Sequence, residues 1–109
     1  MSQTIVQINF DVSIPHDAFE QAVMPDSGTI AAVDGLQWKI WAMNDATQEF
    51  AGTYLFTNEA TADAYVNGPI VANLKAAPVF SNVVVRSYAV MERLTAITRG
   101  PIKEAPVMA

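Results

Sequence analysis

The stretch that most constrains this chain is Gly35-Leu36-Gln37-Trp38-Lys39-Ile40-Trp41, followed shortly by Gly52-Thr53-Tyr54-Leu55-Phe56. Both runs are short, apolar and aromatic, and both are bounded by turn-forming residues, so they read as strands. The polar run Asn44-Asp45-Ala46-Thr47-Gln48-Glu49 lies between them. The two segments therefore form a hairpin whose loop is wider than a two-residue turn. It carries both tryptophans and the first lysine of the chain. The walls of any chemical site should include it.

The rest of the chain falls into place on either side. Residues 4–12 alternate, with Val6, Ile8, Phe10 and Val12 on one face and Ile5, Gln7 and Asn9 on the other. That is a half-buried strand with a mixed second face. Ser13 is positioned to cap a following helix, with Pro15 in its first turn and Phe19 and Val23 on its inward stripe. Pro25 should interrupt or kink that helix, with one or two turns resuming over residues 29–33. After the hairpin strands at 36–43 and 50–56, Thr57 or Asn58 can cap a second helix. Gly68-Pro69 predicts a break in it and a restart at Pro69. Residues 82–90 read as the fourth strand. The tail over 91–109 has no strong period, but Leu94, Ile97 and Ile102 suggest that it docks on the body or on a partner subunit.

Strand, helix, strand, strand, helix, strand is the order of the ferredoxin-like split βαβ unit. This α+β fold has a four-stranded antiparallel sheet with both helices on one face. A single domain over 1–109 accounts for the whole chain. Several strands are apolar on both faces, so something other than the helices must cover the second face. Composition agrees: 51% of residues are hydrophobic and 16% charged, against about 25% charged in ordinary globular domains. A homodimer packed sheet on sheet is the simplest answer.

Charge and residue types exclude several functions. The net charge is −5 and the basic residues are scattered, which argues against nucleic acid. There is no cysteine, and no His, Asp and Glu set has metal-ligand spacing, so no metal is expected. No apolar run approaches a membrane span, and the chain enters its first strand without a leader-like segment, which predicts a cytoplasmic protein. His16 is the only histidine and falls at the start of the first helix. It is badly placed for a haem ligand or a hydrolytic triad.

The hairpin residues, together with Ala64-Tyr65, Gly68-Pro69-Ile70 and Thr98-Arg99-Gly100-Pro101, resemble the YdhR-type family of small monooxygenases in the dimeric α+β barrel superfamily. The resemblance runs from about residue 5 to residue 102. Two departures stand out: Ala51 precedes Gly52 where the family often has paired glycines, and Asp34-Gly35 replaces a common Pro-Gly turn. The resemblance implies a homodimer with a pocket between sheet and helices. It also implies oxygenation of a small electron-rich aromatic, quinone-type or polyketide-like compound without a cofactor. A non-oxidative cyclase or isomerase, or a non-catalytic small-molecule-binding protein, would use the same scaffold.

Such oxygenation needs apolar walls and a few groups that move a proton or hold negative charge. Lys39, Tyr54 and Arg86 are the candidate catalytic residues, and Trp38, Trp41, Phe56 and Tyr65 the candidate substrate walls. By the period of two, Trp38 and Trp41 point to opposite faces, and Lys39 shares a face with Trp41. Lys39 either snorkels to solvent or acts as base or oxyanion partner. Tyr54 either packs in the core or donates to a substrate oxygen. Arg86, placed mid-strand, calls for a carboxylate partner, a dimer contact or a substrate. Tyr65 precedes the helix break and is either core or pocket wall.

Overall fold

β1 (Thr4–Val12) runs through the middle of the sheet, bonded on one edge to β3 (Glu49–Phe56) and on the other to β4 (Phe80–Ala89). In the computed structural model, which describes residues 3–103, β2 (Leu36–Asn44) completes the order β2-β3-β1-β4. All three pairings are antiparallel. α1 (His16–Ala31) joins β1 to β2, and α2 (Glu59–Val66) and α3 (Pro69–Ala76) join β3 to β4. A short α4 (Glu92–Ile97) follows the last strand. The ferredoxin-like α+β architecture is present as expected.

Strand periodicity builds the core. Val6 pairs with Tyr54, Ile8 with Gly52 and Phe10 with Phe50, so these residues share the face beneath the helices. Val6, Ile8 and Phe56 are fully buried there. Phe19 of α1, Ala62 and Tyr65 of α2, and Val71 of α3 complete the cluster. At roughly 1.5–3 kcal/mol for each large side chain buried, this cluster is what holds helices to sheet.

A bulge between Leu36 and Trp38 fixes the facing of β2. Beyond it, Lys39 pairs with Tyr54, Trp41 with Gly52 and Met43 with Phe50. Lys39, Trp41 and Met43 thus lie on the helix side. Trp38, Ile40 and Ala42 lie on the opposite side, opposite Leu55, Thr53 and Ala51. That outer face exposes large apolar groups: Ile40 is 54% and Tyr88 53% accessible, and Val84 is also exposed.

The helices follow local chemistry with one correction. Asn58 caps α2 by accepting from the Thr61 N–H at 2.9 Å, and α3 restarts with Pro69 in its first turn, as the Gly68-Pro69 pair predicts. Pro25, however, does not break α1, which runs unbroken over 16 residues. A proline removes one N–H, bonded in a regular helix to the carbonyl four residues earlier. Here that carbonyl belongs to Gln21, an exposed residue, so no buried polar group is stranded. The start of α1 also shifts: Pro15 is the N-cap, which leaves Ser13 two residues too early to cap, and the Ser13 N–H instead ties the chain to the Val79 carbonyl at 3.0 Å.

After α4 the chain crosses the outer side of the sheet. The Trp38 indole N–H donates to the Pro101 carbonyl at 2.6 Å. Gln3 donates to the Lys103 carbonyl at 2.9 Å, and the Lys103 N–H donates back to the Gln3 side chain at 3.0 Å. Residues 104–109 of the expected tail lie outside the described residues. Among the described residues, no helix is long and apolar enough to cross a membrane.

Candidate active site

A cavity of about 380 Å³ lies between the helix side of the sheet and helices α1 and α3. On the sheet, β2 and β3 line it through Lys39, Trp41, Phe50 and Tyr54, with Phe10 of β1 and Phe80 of β4 beside them. The opposing wall includes Tyr65 of α2 and Ile70 of α3. Asp26, Thr29 and Asn73 add the polar groups on the helix side. The size and the mostly apolar lining with a few polar groups match small-molecule sites.

Lys39 is the cation of this cavity, and it is held by rings. Its Nζ stands 3.3 Å from the centroid of Trp41, 4.5 Å from Tyr54 and 5.7 Å from Phe50. Among the described residues it makes no ion pair or hydrogen bond. Its stem lies beside Gly52. A Cβ built there would meet Lys39 Cε at 3.3 Å, Phe50 Cε2 at 3.1 Å and Tyr54 Cε1 at 3.3 Å. The missing side chain therefore gives the lysine stem a trough on the sheet surface.

Burial pushes the Lys39 ammonium down to about 7, because an unpaired charge loses its hydration in an apolar wall. The ring faces act the other way, each favouring the cation by about 1–2 kcal/mol when desolvated. Desolvation sets the direction, and the ring contacts temper it.

Tyr54 and Tyr65 form the second polar feature. Tyr65 Oη donates to Tyr54 Oη at 3.1 Å, and the rings lie 5.1 Å apart. Both phenols are pushed above their ordinary range, chiefly by burial. They stay protonated at neutral pH, and the pair holds two protons for one mutual hydrogen bond. One phenolic proton remains for a ligand oxygen.

The structure brings together four of the residues singled out from the sequence: Lys39, Trp41, Tyr54 and Tyr65. Phe56 stands behind them, its ring 6.1 Å from Tyr54 and 5.4 Å from Tyr65, as support rather than lining. Trp38 and Arg86 are elsewhere. Trp38 is on the outer face, bonded to Pro101, because the bulge and the strand period turn it from Lys39. Arg86 pairs with Gln7 on the same outer face, and β4 is an edge strand, not a central one. It is exposed, and among the described residues it has no ion pair, so no buried charge demands a carboxylate.

Other wall residues are not marked by pattern in the sequence. Asp26 and Thr29 fall where Pro25 suggests a broken helix, and the continuity of α1 is what aims them at the cavity. A second hollow of about 390 Å³ shares Trp41 and Phe50 and opens beside His16 and Glu20. His16 hydrogen-bonds Asp45 at 2.6 Å through Nδ1, which raises its proton affinity. No group of three or more metal-ligating side chains occurs among the described residues.

The fold is shared with several solved structures. A putative antibiotic biosynthesis monooxygenase from Deinococcus radiodurans superposes with a TM-score of 0.64 at 16% identity, over 82% of this chain and 93% of that one. The haem degrader MhuD from Mycobacterium tuberculosis gives 0.58 at 17%, over 80% and 95%. A hydroxynitrile lyase from Passiflora edulis gives 0.59 at 14%, over 84% and 97%. No curated protein matches the chain in sequence. The family model described as "Putative mono-oxygenase ydhR" matches residues 5–101, nearly the whole chain, which therefore belongs to the YdhR mono-oxygenase family.

Proposed function

We propose that this protein is a homodimeric, cofactor-independent monooxygenase acting on a small electron-rich phenol or related aromatic. The observation that carries the reading is Lys39, an amine poised near neutrality in an aromatic wall beside a spare tyrosine proton. The amine takes the phenolic proton of the substrate. The aryloxide so formed then lies between the new ammonium and the Tyr54 hydroxyl, both able to hold its charge.

An aryloxide is itself the electron source for dioxygen. In converting a phenol to a quinone, one oxygen atom enters the ring and the other leaves as water, with all electrons drawn from substrate. The chain's own residues need only bind, deprotonate and exclude water, and Trp41, Phe50 and Ile70 are suited to the last task.

MhuD, which has this fold, degrades haem, and the donors present here favour a different ligand for this chain. His16 is the only histidine of the chain; it is not part of the cavity wall, and its Nδ1 is engaged by Asp45. The cavity does not fit a haem held by histidine.

The homodimer rests on the outer sheet face. Ile40, Val84 and Tyr88 are exposed there, and Met91, Leu94 and Ile97 are exposed on and beside α4. So much apolar surface on a small domain suits a second copy.

A second reading is a non-oxidative reaction using the same amine and phenol as base and acid. The lyase of the Passiflora structure has the same fold, so the fold alone does not choose between them. The experiment is oxygen uptake with a panel of phenols and hydroquinones, with and without chelator. Uptake that needs substrate and survives chelator supports the monooxygenase. Turnover under nitrogen would favour the second reading, and tight binding with no turnover would leave a binding protein.

A further inference from the structure

We propose that Lys39 is also a carbonyl-capturing residue, its Nζ forming a reversible imine with an apolar aldehyde or ketone that enters the cavity between sheet and helices. The inference uses the same cavity as the monooxygenase reading but none of its oxygen chemistry.

The geometry differs from that of an ordinary surface lysine. β2 is an edge strand, from which a lysine would extend into water. Instead the trough over Gly52 lays the stem along the sheet and delivers Nζ to the cavity wall, between the Trp41 and Tyr54 rings. A carboxylate beside it would hold the amine as ammonium and block its lone pair. Among the described residues none is within ion-pair distance, although Asp26 of α1 lines the same cavity; the aromatic faces favour the ammonium but, unlike a carboxylate, accept no hydrogen-bonded proton from it. Burial lowers the proton affinity, so a large share of the amine is neutral at pH 7.

The chemistry balances without any oxidant or reductant. The amine lone pair adds to the carbonyl carbon, and a proton passes from nitrogen to oxygen to give a carbinolamine. The hydroxyl then leaves as water as the C=N bond forms. Tyr54 has the spare phenolic proton to assist that departure, and it regains one from the nitrogen. An apolar aromatic carbonyl compound is the class favoured by walls of Phe50, Trp41, Ile70 and Leu74.

The test is reductive trapping on the full chain. The protein is incubated under nitrogen with 4-methoxybenzaldehyde and cyanoborohydride, and the adduct sites are mapped by peptide mass spectrometry. A lysine amine in water titrates at about 10.4 and is almost wholly protonated at neutral pH. At pH 7.5, Lys39 should therefore label roughly tenfold or more faster than Lys75 and Lys103. The labelling advantage of Lys39 over the other two should be present already at neutral pH, where its amine exchanges its proton. Lys39→Met should abolish the fast adduct. Equal labelling of all three lysines, or an unlabelled Lys39, would overturn the proposal. Because trapping needs no dioxygen and is read on unaltered protein, its failure is separate from a failure of the oxygen-uptake assay.

Discussion

Tyr65 Oη lies 3.1 Å from Tyr54 Oη and donates to it, tying α2 to β3 inside the core while leaving Tyr54 a proton to give. The two hydroxyls have different duties. Tyr65→Phe leaves Tyr54 in place and removes one buried hydrogen bond, which should cost about 1 kcal/mol of stability and lower turnover only moderately. Tyr54→Phe removes the hydroxyl that we propose donates to substrate and should lower turnover about tenfold more than Tyr65→Phe. Chemical denaturation and oxygen uptake on both variants and the double variant check this. Equal losses of activity would show that Tyr54 has no separate role.

Lys39 makes a prediction with a definite sign. Its folded proton affinity is lowered to about 7, while the unfolded chain keeps the ordinary value of about 10.4. Between those values the unfolded state binds more protons, so stability climbs as pH rises from about 7. Below about 7 both states carry the proton and the cost of burying the charge is felt in full. Lys39→Met should therefore stabilise the protein at pH 6–7 by on the order of 1–2 kcal/mol, after loss of the ring contacts. The gain should shrink steadily towards pH 9.5, the useful limit before the two buried tyrosines act in the opposite direction. The same variant should lose activity. Urea titrations of both proteins across this range read the slope. A stability difference that stays constant with pH would place the ammonium in water.

These residues show what a sequence can and cannot disclose. The hairpin and its period of two are local, so spacing alone assigns Lys39 with Trp41, and Tyr54 with Phe56, to common faces. Gly68-Pro69 marks its own helix break because a glycine cap and a proline first turn act locally. The continuity of α1 through Pro25 is not local: tertiary packing of Phe19 and Ile30 holds both halves to the sheet. Spacing places Arg86 mid-strand but not at a sheet edge, because strand order is a property of the fold, and only the order β2-β3-β1-β4 makes β4 an edge. The trough of Gly52 under Lys39 depends on a register that the bulge at Leu36 and Trp38 sets. No spacing rule yields that.

The outer face supplies a test of assembly. Ile40 of β2 and Val84 of β4 are both exposed on the side away from the helices, on the two edge strands. Ile40→Glu and Val84→Glu place charge on a face that a second copy would cover. Since both positions are already exposed, folding should change by no more than about 0.5 kcal/mol. Light scattering should show a dimer near twice 11.8 kDa for wild type and monomer for the double variant. A wild-type monomer at micromolar concentration would remove the case for the dimer.

Gly52 separates the position of the amine from its mere presence. A Cβ at this residue would stand 3.1 to 3.3 Å from Phe50, Lys39 and Tyr54 atoms, so each must give by a few tenths of an ångström. The rings are packed in the core, with Phe50 3% and Tyr54 2% accessible, whereas Lys39 is half-buried and its Cε is near the far end of a flexible side chain, so it gives way more readily. Gly52→Ala should therefore displace Lys39 most and press on both rings, at a cost of about 1–3 kcal/mol. Turnover should fall although every candidate catalytic group remains. The pH profile is the deciding readout: a Lys39 lifted towards water regains proton affinity, so the rising limb of activity should move from near 7 to higher pH. An unchanged profile with reduced turnover would mean that the methyl group only obstructs the cavity, and that Gly52 does not position the amine.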